Sequence, residues 1–475
     1  MNGDLPGGWA TAPIGNIAII NPRHPRTLKD STIVSFARMA AVSESKPDFN
    51  YLEERPLGDV RQGFTHFATG DVLFAKITPC MENGKGAVAS GLRNGLGCGT
   101  TELIVLRPLG GVDPHYLYRF LSQPWLRAQA KEHFTSTAGQ ARVPTRFIEE
   151  LEVPLAPIEE QRRIVGQLKK LTEKIGASRR RLEHIERIVD RFRQSVLAAA
   201  CSGQLTADWR EWSGESGDDG DDLPPSWRAI TVAEAVESLK YGTAQKCDYG
   251  KRGVPVLRIP NVAGGIVDHA DIKYGKLSVA ERDQLRLMPG DILLIRSNGS
   301  VSLVGRTALV REPERDFAYA GYLIRLRPRR TLVVPEFLNL VFGSFDVRLQ
   351  IELEARSTSG VHNINGDEVR ALRFALPPRS EQVEILRRVK VLFTVADRME
   401  SRLRDARAWV DKLTPAVLAK AFRGELVPTE AELAEREGRE YEAASALLER
   451  INPDIKGFAC SPRSPRRQGS KMGVP

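Results

Sequence analysis

Shifting the sequence of 475 residues along itself by 221 positions lays one half over the other, and this internal repeat constrains the fold more than any other feature. Leu151–Gln161 (LEVPLAPIEEQ) falls on Leu372–Gln382 (LRFALPPRSEQ), and Leu197–Leu205 (LAAACSGQL) falls gap-free on Leu418–Leu426 (LAKAFRGEL). Toward the start of each copy the offset drifts by a few residues, as loop insertions would cause. There Trp9 pairs with Trp227, Gly70-Asp71-Val72-Leu73 with Gly290-Asp291-Ile292-Leu293, Leu106-Arg107-Pro108 with Leu326-Arg327-Pro328, and Pro114 with Pro335. So long a period excludes a solenoid and implies tandem copies of a whole domain.

Each copy ends in a heptad seam. In the first, Ile164, Leu168, Leu171, Ile175, Ser178, Leu182, Ile185, Val189, Phe192 and Val196 alternate in steps of four and three. The second repeats it with Ile385, Val389, Leu392, Ala396, Met399, Leu403, Ala406, Val410, Leu413 and Val417. A seam of roughly 50 Å is too long to pack inside one small domain, so the two helices are expected to pair. The chain path makes them antiparallel and relates the halves by a pseudo-twofold. The expected helix-pairing residues are Leu168, Leu171, Ile175, Leu182, Ile185, Val189, Val389, Leu392, Met399, Leu403, Val410 and Leu413. Gly203 and Gly424 sit where helix C-caps belong, and Pro415 should kink or restart the second helix.

The expected organisation is a first globule at 1–157, a long helix at 158–205, an acidic linker at 206–225, a second globule at 226–378 and a second long helix at 379–426. A helical segment at 427–452 and a disordered tail at 453–475 follow. Inside the globules, Asp71–Ile77, Leu103–Leu106, Asp291–Arg296 and Tyr322–Leu326 read as strands, and Pro114–Leu126 and Pro335–Leu349 as helices. The fold class is therefore α+β.

No catalytic constellation emerges. The sequence has no G-x-x-x-x-G-K-[ST] loop, no N-P-P-Y type motif and no His pair at metal-ligand spacing. The acidic-x-Lys strings at Asp271–Lys273 and Asp454–Lys456 are of the kind chance supplies. The five cysteines lack paired spacing, which suits a reduced, cytoplasmic protein, and no apolar run is long enough to span a membrane. No metal site and no cofactor are expected in this chain.

The repeat does mark one class of residue. Lysine and arginine exceed acidic residues by nine, and a cation recurs at matched places: Lys76 with Arg296, and Lys85 with Arg306. Thr78 and Asn298 lie nearby, and a polar Gly-containing loop before each long helix offers Gln140 and Arg142 in one copy, His362 and Asn363 in the other. Loops of this kind suit phosphate and base-edge contacts, so these ten residues are the candidate DNA-binding set. Arg179, Arg180, Arg181, Arg402 and Arg404 along the helices read as the solvated face of a coiled coil.

PLAPIEEQRRIV and PPRSEQVEIL, each leading into a long helix ending in LAAACSGQL or LAKAFRGEL, resemble the specificity subunits of Type I restriction-modification enzymes; so does Tyr241–Val262 (YGTAQKCDYGKRGVPVLRIPNV), which looks like the opening of a target recognition domain. The resemblance implies a non-catalytic subunit with two target recognition domains, reading a bipartite asymmetric site in double-stranded DNA. It also implies partners: two methyltransferase subunits using S-adenosylmethionine, and two restriction/translocase subunits using ATP and Mg. Two other readings stand beside it: a specificity subunit of an orphan or methylation-only system, and a coiled-coil scaffold without sequence-specific DNA binding.

Overall fold

The computed structural model describes residues 5–44, 46–137, 140–213, 223–250, 252–358 and 361–457, with backbone alone at 136, 137, 140, 356–358 and 452–457. The chain divides into two units: residues 1–181 with 406–475, and residues 182–405. The division cuts both long helices, so each unit holds one globule and one end of each helix.

In unit 1 a four-stranded antiparallel sheet has the order Ala18–Ile20, Leu103–Pro108, Val72–Ala75, Gly86–Val88. Unit 2 repeats it as Val236–Tyr241, Leu323–Pro328, Ile292–Ile295, Thr307–Leu309. The register is kept as well: Val72 lies opposite Leu106, and Ile292 opposite Leu326. A second sheet differs between copies, with four strands in unit 1 (Glu53–Pro56, Ile33–Ala37, Leu96–Gly99, Thr65–Ala68) and three in unit 2 (Lys273–Gly275, Val254–Leu257, Ala318–Tyr319). Each sheet set is flanked by short helices, as an α+β fold requires.

The matched motifs prove to be framework. Gly70 (φ +90°) and Gly290 (φ +92°) take the left-handed turn into the central strand. The next residue is a buried aspartate: Asp71 accepts two bonds of 2.8 Å from Arg107, and Asp291 accepts two of 2.8 Å from Arg327. Each aspartate also accepts the amide three residues before it, at 2.7 Å from Ala68 and 2.9 Å from Met288. Charge on the buried carboxylate is thus matched by a forked guanidinium, the arrangement that makes burial tolerable.

The Glu-Gln pair at the head of each long helix has the same logic. Gln161 receives the amide of Asp113 and donates to the carbonyls of Gly111 and Ala156; Gln382 receives Val334 and donates to Leu332 and Pro377. Each Gln therefore pins the loop before its globule's helix to the root of the long helix. Strands Ala10–Pro13 with Glu152–Leu155, and Arg228–Thr231 with Arg373–Leu376, close each globule and deliver the chain into that root.

The helices run Ile158–Cys201 and Arg379–Ala421 and end at Gly203 (φ +84°) and Gly424 (φ +74°). The second continues unbroken through Pro415, so the expected restart does not occur. Within unit 1, Ile164 and Leu168 share a core with Leu418 and Phe422, while farther along Arg179 pairs with Asp411 at 3.0 Å. Within unit 2, Ala200 and Val196 share a core with Ile385 and Val389, and earlier on the helix Arg193 pairs with Asp397 and Glu400. In both units the paired segments are antiparallel.

The pairing seam is narrower than the heptads imply. Leu168, Ile175, Val189 and Val389 are buried, and Leu171, Leu182, Leu392, Leu403 and Val410 are half-buried. Ile185 (41 % exposed), Met399 (49 %) and Leu413 (42 %) are exposed. No residue between 176 and 188, or between 397 and 417, is buried. A straight 3.6-residue helix drifts off a 3.5-residue stripe, so a heptad pattern need not keep every seam position covered.

Other boundaries also move. Pro114–Leu121 and Pro124–Glu132 are separate helices because Gln123, ahead of Pro124, is extended; Pro335–Val341 and Phe345–Glu354 are likewise separated at Ser344. The stretch expected as linker opens with the helix Ala207–Ser213, whose Arg210 is buried against Glu381 at 2.6 Å; 214–222 lie outside the described residues. The helix Ala444–Gly457 runs past the expected tail start at 453, and 458–475 lie outside the described residues. Its Leu447 and Ile451 join the core of unit 1. Among the described residues no helix is long and apolar enough to cross a membrane.

Candidate nucleic-acid interface

In both units the central strand ends at the cation marked by the repeat, and the chain then pairs with the hairpin that precedes the long helix. In unit 2, Ser297–Asn298 pairs antiparallel with Val361–Asn363, placing Ser297 opposite Asn363 and Asn298 opposite His362. Arg296 is tied on both sides, its amide to Tyr322 and its carbonyl to the amide of Ile364. This brings Arg296, Asn298, His362 and Asn363 to one edge. Arg306 flanks them, its carbonyl accepting from Ile295 at 2.9 Å.

Unit 1 repeats the construction. Lys76 donates its amide to Glu102 and accepts from Val143, Ile77 bridges to Arg142, and Thr78 donates its amide to Ala141. The carbonyl of Lys85 accepts from Ala75 at 3.1 Å, as that of Arg306 does from Ile295. Gln140 lies on the hairpin strand Gln140–Arg142, and its side chain is outside the described residues. Gly84 (φ +76°) and Gly305 (φ +79°) precede the two flanking cations; an added Cβ would strike the Arg127 guanidinium in one unit and Ile351 and Arg348 in the other.

What the side chains are doing divides the set. Arg142 makes a two-pronged pair with Glu102 at 2.9 Å, and Thr78 exchanges hydrogen bonds with the backbone of Ala141. Lys85 is only 16 % exposed, donating to Met39 O at 3.3 Å with Glu44 at 3.7 Å. These three are engaged by their own globule, and a DNA contact from any of them would first have to break that engagement. Asn298 accepts the amide of Ser300, and Arg306 donates to the carbonyls of Ser302 and Ala263 while staying exposed. His362 Nδ1 is 3.5 Å from Ala355 O. Arg296 lies 4.9 Å over the Tyr241 ring, and its Nε and the Oδ1 of Asn363 are buried without a hydrogen-bond partner among the described residues.

Beside Arg296 opens a cleft of about 650 Å³, whose walls include Gln245, Arg258, Lys273 and Tyr322. Tyr322 is 63 % exposed, and Lys273 lies 4.6 Å over the ring of exposed Tyr249. Cations alternating with exposed aromatic faces suit nucleic acid. Sequence reasoning passed over these residues because Arg258, Lys273 and Tyr322 come from separate strands and loops, and no local spacing announces them.

One group has the composition of a metal site. His24, His66 and Cys98 are buried with their ligand atoms within 4.8 Å of one another. The ring nitrogens are already used: His66 Nδ1 accepts the amide of His24 at 3.0 Å, His66 Nε2 is 2.9 Å from Arg61 O, and His24 Nε2 is 2.9 Å from Gly97 O. Burial lowers His24, lowers His66 to about 4 and raises the Cys98 thiol to about 11. With both His66 nitrogens engaged, the trio is a neutral hydrogen-bonded clasp between sheet and loop and does not present three free ligand atoms.

Two homologous α+β units, each presenting a polar edge of cations, amides and hydroxyls and each holding one end of both long helices, define a tandemly duplicated chain with two candidate recognition edges. The family model described as Type I restriction modification DNA specificity domain matches residues 6–187. The Type I restriction enzyme EcoBI specificity subunit of Escherichia coli is 30% identical over 328 residues, 67% of this chain and 68% of that protein. The EcoKI specificity subunit of Escherichia coli strain K12 is 29% identical over 474 residues, 95% of this chain and 96% of that one. This chain belongs to the family of Type I restriction enzyme specificity subunits. Among solved structures, a chain from work on complex assembly and conformational transition of the type I R-M system matches with a TM-score of 0.69 at 21% identity, covering 89% of this chain and 100% of that one. The HsdS subunit of Thermoanaerobacter tengcongensis matches with a TM-score of 0.55 at 20% identity, covering 90% and 99%. Both share the fold.

Proposed function

We propose that this chain is the non-catalytic DNA-reading subunit of a Type I restriction-modification complex, and that it reads a bipartite, asymmetric target with one half-site for each unit. The observation that carries this is the matched edge: strand, cation and hairpin are built by the same hydrogen bonds at Lys76 and at Arg296, while the surrounding side chains differ. A common framework with divergent edge chemistry suits two unlike half-sites. Methyl transfer, with S-adenosylmethionine, and restriction, with ATP and Mg, are assigned to partner subunits. Exposed apolar side chains on the helices support their docking: Val383, Val391 and Val395 in unit 2, and Trp409 (71 % exposed) in unit 1. Two methyltransferase subunits and two restriction/translocase subunits complete the assembly.

Methylome sequencing of a host with and without the gene tests the reading. A two-part motif should appear with the gene. Exchanging 5–150 for the corresponding segment of another member should alter one half of that motif and leave the other intact; a change in both halves, or in neither, would overturn it.

A further inference from the structure

Unit 1 holds a concave basic surface distinct from the polar edge at Lys76. A cleft of about 930 Å³ separates its globule from the first long helix, and every residue lining it belongs to unit 1. Lys46 and Asp48 come from a globule loop, Arg119 from the helix Pro114–Leu121, and Lys169, Glu173 and Arg180 from the long helix. Arg119 is half-buried, 6.0 Å from the Tyr118 ring, and burial holds its pKa below the usual arginine value. Among the described residues no carboxylate pairs with Arg119, Lys46, Lys169 or Arg180, whereas Arg179 is matched by Asp411.

Unit 2 shows that the fold does not require these cations. At the offset of 221, Arg119 becomes Leu340, Gly176 becomes Asp397, Arg179 becomes Glu400 and Arg180 becomes Ser401; of the basic set only Lys169 keeps a cation, as Lys390. There Thr172 is replaced by Phe393, and Arg193 lies over its ring at 5.1 Å while pairing with Asp397 and Glu400. The same framework is thus kept with its carboxylates neutralised by Arg193 and without the open basic stripe. The cleft also connects with the edge of unit 1. Lys85 reaches Met39 O and Glu44, and Val88 donates to Pro47 O, so the loop that forms the cleft wall at Lys46–Asp48 is held by Lys85 and by the strand Gly86–Val88 that follows it.

We propose that this cleft holds the phosphate backbone of duplex DNA beside the half-site read by unit 1, through contacts indifferent to base sequence and without counterpart in unit 2. The inference rests on the DNA-reading role proposed above. From Lys169 to Arg180 the helix stripe is about 16 Å long, roughly five base steps measured along a duplex axis, which favours a run of phosphates over a single anion.

The test uses the full chain and a duplex of arbitrary sequence. Lys169 and Arg180 are both exposed, so Lys169→Ala with Arg180→Ala should leave folding intact. The slope of log affinity against log salt should fall by about two in this double variant, and Lys390→Ala should leave it nearly unchanged. The motif methylated in the host should stay the same. An unchanged slope in the double variant, or an equal fall per residue from Lys390→Ala, would overturn the proposal. So would polyglutamate binding more tightly than duplex and losing that binding in the double variant, since the occupant would then be an acidic peptide. A changed methylation motif would instead make the cleft part of base reading, against the proposal. If the unaltered chain bound no duplex at all, the DNA-reading role itself would fail, and the cleft with it.

Discussion

The indole Nε1 of Trp227 donates to Oε2 of Glu381 at 2.8 Å, joining the first strand of its globule to the root of a long helix in the buried core of unit 2. Trp9 makes the same bond to Glu160 at 2.9 Å in unit 1. The second oxygen of each carboxylate is served differently: Glu160 receives the amide of Glu430, and Glu381 receives Thr206 and Arg210. Burial raises the pKa of Glu160 even so. Each globule is therefore locked to its helix by a carboxylate that segments outside the globule complete.

Glu381→Leu strips Trp227 and Thr206 of their buried acceptor and should cost unit 2 about 3–5 kcal/mol, while Trp227→Phe should cost about 1–2 kcal/mol. Denaturant unfolding of the full chain should show the loss in one transition. Equal destabilisation by the two variants would mean that aromatic packing, not the carboxylate, is the lock.

Arg327→Ala leaves Asp291, 2 % exposed, without its forked partner and should destabilise by about 3–5 kcal/mol; Arg107→Ala should do the same to unit 1 through Asp71. Asp291→Asn with Arg327→Ala together should be less damaging than Arg327→Ala alone. Additive losses in this double-mutant cycle would show that the buried pair is not coupled.

Unit 1 should weaken in mild acid. The folded pKa of His66, about 4, lies below its ordinary 6.5, so its contribution is fully present above pH 6.5 and is lost as pH falls through 4. At pH 5 the loss from this group is up to about 2 kcal/mol relative to pH 7. Urea unfolding at the two pH values measures it, and His66→Gln should flatten the difference.

Position along the helix pair should separate folding from assembly. Val189→Asp places a charge at a site 3 % exposed and should cost several kcal/mol, whereas Ile185→Asp, at 41 % exposed, should cost less than about 1 kcal/mol. If the exposed stripe docks a methyltransferase subunit, Ile185→Asp should weaken co-purification with that subunit while thermal unfolding of the chain alone stays put.

Arg296→Ala should relax or weaken reading of one half-site by about 1–3 kcal/mol for each base the guanidinium recognises, with Lys76→Ala acting on the other. The methylation motif of each variant, assembled with its partners, is the readout. Lys85→Ala should act less than Lys76→Ala, because Lys85 is already held by Met39 and Glu44.

The repeat, the two seams, the glycine caps and the Glu-Gln roots were legible in the amino-acid sequence because they are periodic or duplicated, and duplication exposes framework residues whose partners are duplicated with them. The same signal does not tell which side chains their own globule already engages. Lys85 and Arg142 stood out in recurring polar loops, yet Arg142 is paired with Glu102 and Lys85 with a loop some forty residues away. Ile185, Met399 and Leu413 fitted the heptad but face outward, since their burial depends on whether anything lies over the helix there. The His24, His66 and Cys98 clasp, the Tyr322 cleft and the basic cleft beside the first helix gather residues that no spacing relates. Local pattern determined which elements form and that they form twice. Which charges are neutralised and which stay open was decided only when distant segments met, because a charge's availability is a property of its neighbours in space.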